Sequence, residues 1–132
     1  MILLKKIFLL SKSKLWLYGL VNGVAANIEL LKLAKSTKKL KTLIDVGSNK
    51  GQFMLLLEKL FPNISIFSFE PIKEEMHIQK KLFSFKKKII FYNFAIGGKN
   101  SKKKFYITKR KDSSSFYKFN KANSSNQDYK II

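Results

Sequence analysis

Two rhythms of apolar residues alternate through the middle of the chain. Thr42-Leu43-Ile44-Asp45-Val46 is a short apolar run with the length and branching of a buried strand. After it, Phe53, Leu56, Leu57, Leu60 and Phe61 recur at i, i+3, i+4, i+7 and i+8, which predicts a helix over Gln52 to Leu60 with a wide core-facing stripe. Pro62-Asn63 stops that helix, and Ile64 to Phe69 predicts a second strand closing on Glu70-Pro71. A second helix over roughly Lys73 to Phe83 opens with Glu74 and Glu75, well placed for its dipole, and Lys88 to Phe94 predicts a third strand. This β-α-β-α-β order favours a parallel sheet with right-handed crossovers.

The flanks are less regular. Val24, Ile28 and Leu31 recur at i, i+4 and i+7, broadened by Ala25, Leu30 and Leu33, and predict an amphipathic helix within Leu15 to Leu31. Lys35 to Lys41 predicts a solvated link, so the division expected is 1–41, leading amphipathic helices and basic linker, and 42–132, a sheet domain. Gly97-Gly98-Lys99-Asn100 predicts a turn, Lys104 to Thr108 a short strand, and Tyr129 to Ile132 a hint of another after a polar stretch.

Composition narrows the chemistry. With 132 residues, 45% of them hydrophobic, the chain supports one core of useful size. It has no cysteine and a single histidine, His77, so neither a disulfide framework nor a metal centre is expected. His77 falls on the exposed face of the second helix and is given no role. The formal charge of +19 suggests a polyanion partner, yet Arg110 is the only arginine among 27 basic residues. Base-edge and phosphate-fork recognition leans on arginine, so nucleic acid is disfavoured and a lysine-coated surface preferred. Residues 76–132 carry 15 basic and 2 acidic side chains and would meet any anionic partner. No clean secretory cleavage site or transmembrane span is read, which fits a cytoplasmic protein. Peripheral membrane contact through residues 1–20 stays open.

The most informative residues end the first strand: Asp45-Val46-Gly47, then Gly51 after Ser48-Asn49-Lys50. A strand closing in Asp-x-Gly-x-x-x-Gly and opening a helix is a nucleotide-cradling turn. Gly47 permits a sharp backbone turn, and Gly51 a close approach of helix and ligand. The dinucleotide fingerprint needs a third glycine, so a smaller adenosyl ligand is the better fit. Ligands of open parallel sheets bind beyond the carboxyl ends of the strands, which here are Asp45 to Gly51, Glu70-Pro71 and Asn93-Phe94-Ala95. Glu70, 23 residues after Gly47, is the acceptor-only group that a pair of ribose hydroxyls needs, unless it serves only as a helix N-terminal acid. Asp45 organises the turn and lies near the other end of the ligand, whereas Lys50 reads as a solvated side chain.

The ordered set Thr42-Leu-Ile-Asp-Val-Gly-Ser-Asn-Lys-Gly-Gln-Phe53, Phe69-Glu-Pro71 and Asn93-Phe-Ala-Ile-Gly97 resembles the FkbM family of S-adenosylmethionine-dependent methyltransferases. Gly23 to Glu29 is similar to the helix preceding that family's first strand, and Asp112-Ser-Ser-Ser115 to its serine-rich segment. The resemblance spans roughly residues 20–116. It implies an α/β fold with a Rossmann-like class I methyltransferase sheet, and O-methylation of a hydroxyl on a sugar, glycan or other small-molecule acceptor. The implied cofactor is S-adenosyl-L-methionine, held by Asp45, Gly47, Asn49, Gly51 and Glu70, with Asn93 and Ala95 where the adenine rests. The family continues into a fourth strand ending in an Asp-x-Glu-Gly motif that this sequence lacks. The sheet is therefore expected to be truncated after about the third parallel strand, marginally stable, with no general base identifiable beyond the positional candidates Asp112 and Ser113 to Ser115. The alternative is a catalytically inactive fragment, or a basic polyanion-binding module retaining part of the cofactor fold.

Overall fold

A computed structural model describes residues 2–108, 114–117 and 129–131. Asp112 and Ser113, two of the positional candidates, lie outside the described residues. The chain divides into two compact units, residues 1–96 and 97–132.

The first unit is α/β. Helices α1 (Ile2–Ser11), α2 (Lys14–Val21) and, after a 3₁₀ turn at Ile28–Leu30, α3 (Leu31–Ser36) lead into β1 (Thr42–Val46). Then follow α4 (Gln52–Leu60), β2 (Ser65–Phe69), α5 (Lys73–Leu82) and β3 (Ile89–Tyr92). The three strands form one parallel sheet in the order β1-β2-β3, with Asp45 beside Ser68 and Phe69 beside Tyr92. This is the arrangement of part of a Rossmann-like sheet. In the second unit β4 (Tyr106–Thr108) pairs antiparallel with β5 (Tyr129–Ile131).

The amphipathic helix expected within Leu15 to Leu31 is not continuous. It stops at Val21 because Asn22-Gly23 closes α2: Gly23 takes a left-handed φ of 75°. The Val24 and Gly23 N–H groups then donate back to the Gly19 and Leu20 carbonyls. Those two bonds satisfy the orphan carbonyls of the last turn and reverse the chain. Val24 is buried, but in the loop, while Leu30 and Leu33 are exposed. Where a preceding helix was expected at Gly23 to Glu29 there is a loop and the start of the 3₁₀ turn.

Helix α4 is buried more widely than its stripe suggested, with Met54, Leu55, Leu56 and Leu57 all in the core. It lies under the sheet on one side and against the leading helices on the other. Trp16 Nε1 of α2 donates to the Leu55 carbonyl (2.9 Å), and a Cβ at Gly19 would lie 2.6 Å from Leu55 Cδ1. Glu58, also buried on α4, is ion-paired with Lys86.

Among the described residues of the first unit, helices cover one face of the sheet. Ile66 and Ser68 (both 0% exposed) and Ile89 point to the helices, whereas Ile44 (64%), Val46 (57%) and Ile90 (48%) on the other face meet solvent. Among the described residues nothing pairs with the outer edge of β1.

Candidate functional site

The turn after β1 is built from three left-handed residues, Gly47 (φ 73°), Asn49 (φ 50°) and Gly51 (φ 87°). Such angles cost residues with a Cβ energy, which accounts for two glycines and an asparagine at these positions. The Gly47 and Ser48 N–H groups both donate to the Phe69 carbonyl, locking the turn onto the tip of β2. A Cβ at Gly47 would meet nothing within 4 Å, so this residue borders open space. At Gly51 the Phe83 ring lies 2.9 Å from where a Cβ would sit. The absence of a Cβ there lets the end of α5 pack closely against the start of α4.

Beneath the turn lies a polar network that sequence reasoning missed. Gln79 of α5 is 0% exposed; it accepts from Ser68 Oγ (2.6 Å) and donates to Ser48 Oγ (2.8 Å) and the Asn49 carbonyl. Ser48 Oγ and Ser68 Oγ are also 2.7 Å apart. A glutamine in a helix ordinarily reads as a solvated position, and nothing in its spacing marks it as a buried brace.

Glu70 extends the bracing to the next strand tip. Its Oε2 accepts from the Asn49 N–H and its Oε1 from the Ile72 N–H, each at 2.8 Å. The residue is 4% exposed, so in this state its carboxylate faces the turn. Burial pushes its pKa up, partly offset by the Ile72 and Asn49 hydrogen bonds, and the nearby Glu75 charge raises it further. Asp45 carries a second, part-buried carboxyl: desolvation, and then the Glu70 charge, push its pKa from 3.8 to about 6. Its Oδ2 is buried without a hydrogen-bond partner. Such an orphaned acceptor costs free energy until a donor or cation reaches it.

Asn93 ties the third strand tip to the second, its Nδ2 donating to the carbonyls of Glu70 (2.8 Å) and Pro71 (3.2 Å). Ala95 follows, half-buried. On the solvent-facing side of the same tips Phe69 stacks on Tyr92 (centroids 4.7 Å apart), and Phe94 packs against both at 5.6 Å. The sequence gives a hint of this cluster in the aromatic residues flanking Glu70 and Asn93. The structure thus joins Asp45, Gly47, Asn49, Gly51, Glu70 and Asn93 through the turn and the strand tips. A separate cavity of about 530 Å³ runs along α5, lined by Lys73, Met76, His77 and Lys80 among others, and shares only Asn93 with the site.

No family model matches the sequence, and no curated protein aligns with it significantly. Among the described residues no helix is long and apolar enough to cross a membrane.

Proposed function

We propose that the strand-tip cradle binds S-adenosyl-L-methionine and that the chain is the cofactor-binding part of a class I O-methyltransferase of the FkbM type, acting on a sugar or glycan hydroxyl. The observation that carries this reading is the pair of carboxyls at adjacent strand tips, Glu70 buried and Asp45 part-buried with one orphaned oxygen, beside a left-handed glycine that borders open space. In a chain of net charge +19, three of the eight acidic residues (Asp45, Glu70 and Glu75) act on this one place. Acids concentrated in a basic protein suit a cationic ligand.

When bound, the cofactor supplies an electrophilic sulfonium methyl for in-line transfer to an acceptor oxygen. The residues of this chain bind and orient. Asp45, ionised at neutral pH, faces the cationic methionine end and gains there the partner its Oδ2 lacks. Glu70 has four acceptor positions and spends two on the Asn49 and Ile72 N–H groups, leaving two for vicinal ribose hydroxyls. Gly47 leaves room for the ligand backbone, and Asn93 and Ala95 border the base. Holding both reactants in a near-attack geometry supplies much of the acceleration in such transfers. Among the described residues no side chain is assigned as the base that removes the acceptor proton.

A second reading is favoured by the lysine-rich surface: a module that binds polyanions and ignores the cofactor. Thermal unfolding with S-adenosylhomocysteine, and separately with heparin, separates the two. The cofactor reading expects a rise in Tm with S-adenosylhomocysteine that disappears in Glu70→Ala. A rise with heparin alone, abolished by salt, supports the second.

A further inference from the structure

Helix α2 is amphipathic in the wrong sense for a helix packed on a core. It buries Trp16 and Gly19 and turns Leu17 (44% exposed), Tyr18 (41%) and Val21 (79%) to solvent. These three follow Lys14 at i+3, i+4 and i+7, so one face reads basic at its start and apolar along its length. A packed surface helix ordinarily shows the opposite arrangement. The patch extends beyond α2: Tyr18 meets the ring of exposed Phe85, beyond α5, edge-on at 6.5 Å. On neighbouring α1, Phe8 is 61% exposed with Lys12 Nζ over its ring at 4.4 Å.

Charge decides what fits this patch. The first 28 residues contain lysines 5, 6, 12 and 14 and no acidic side chain, and the first acid, Glu29, is ion-paired with Lys6. A second copy of the chain would bring another +19 against it. A nucleic acid would answer the charge and leave the apolar side chains wet. An anionic bilayer answers both, because apolar side chains enter the headgroup boundary while lysines meet the lipid phosphates. We propose that the outer face of α2, with Phe85 and Phe8 beside it, docks on an anionic membrane surface, the helix lying in the interface plane. At eight residues, α2 is about 12 Å long, too short to span and long enough to lie flat.

The test is co-sedimentation of the chain with phosphatidylcholine vesicles, with and without phosphatidylglycerol, over a range of salt. The expected result is binding only when phosphatidylglycerol is present, weakened by salt, and about tenfold weaker or worse in Leu17→Glu/Val21→Glu. These side chains are exposed, and circular dichroism verifies that the variant folds. Phe85→Glu, in a different segment, weakens binding in the same direction and keeps the test decisive should the helix variant unfold. No binding to the phosphatidylglycerol vesicles overturns the proposal. So does equal binding to both vesicle types, or equal binding by wild type and the folded variants. A wild-type dimer that the double variant converts to monomer, with no vesicle binding, assigns the face to a second copy instead. RNA binding lost in the same variants, again without vesicle binding, assigns it to nucleic acid.

Discussion

Asp45→Asn is expected to stabilise the ligand-free chain at neutral pH. The carboxyl of Asp45 has a buried oxygen with no partner, and its pKa stands at about 6 against an ordinary 3.8. The folded state therefore holds the proton more tightly than the unfolded state between those values. By linkage, stability falls as pH rises through that window: it is intact below about pH 4 and fully reduced above about pH 6. At about 1.4 kcal/mol for each tenfold change in proton affinity, the loss is about 3 kcal/mol. Asparagine keeps the shape and polarity of the protonated acid without the ionisation. It should match wild type near pH 4 and exceed it by about 2–3 kcal/mol near pH 7.5. Urea unfolding followed through Trp16, the only tryptophan, at both pH values measures this. Groups not coupled to Asp45 titrate alike in both chains and cancel in the difference, whereas Glu70, whose charge raises the Asp45 pKa, is part of the measured effect. A difference that stays flat with pH, or a variant less stable near pH 7.5, would refute the reasoning, since it would mean that ionised Asp45 is already satisfied in the fold. The gain in stability should come with weaker cofactor binding, the usual exchange at a functional site.

Other substitutions probe the frame around the site. Gly51→Ala must hold a left-handed φ and press on the Phe83 ring, and should lose about 2 kcal/mol or more in urea unfolding. Gln79→Leu leaves the Ser48 and Ser68 hydroxyls and the Asn49 carbonyl with fewer partners, and should cost about 2–3 kcal/mol while raising amide exchange across the turn. The uncovered sheet face should make the chain marginally stable and prone to associate. Ile44→Lys with Val46→Lys should therefore reduce light scattering on heating with little loss of secondary structure; unchanged scattering would count against that face as the cause.

The strand, turn and helix around Asp45 to Gly51 are legible in the sequence because each carries a strong local signal: a branched apolar run, two glycines at positive φ, and a helical stripe. The parallel sheet follows from the alternation of elements. Less legible were features set by what lies on the other side of a residue. Five consecutive buried residues in α4, Met54 to Glu58, reflect partners on two sides, which one helical period does not encode. Gln79 is a brace only because Ser48 and Ser68 arrive beneath it from other elements. The break at Gly23 was marked by Asn22-Gly23, a turn signal outweighed by the apolar spacing around it. At the strand tips, the inward posture of Glu70 and the solitary Asp45 oxygen depend on what other elements bring against them, which no local pattern encodes.

The most direct test of the cofactor cradle is an amide NMR titration of the chain with S-adenosyl-L-methionine at neutral pH. The account expects the signals of Gly47, Asn49, Gly51, Glu70 and Ala95 to move together along one saturating curve, and Glu70→Ala to abolish the movement. If a saturating excess of cofactor leaves these amides in place, or moves only lysine-rich surface signals, the cradle does not bind this ligand.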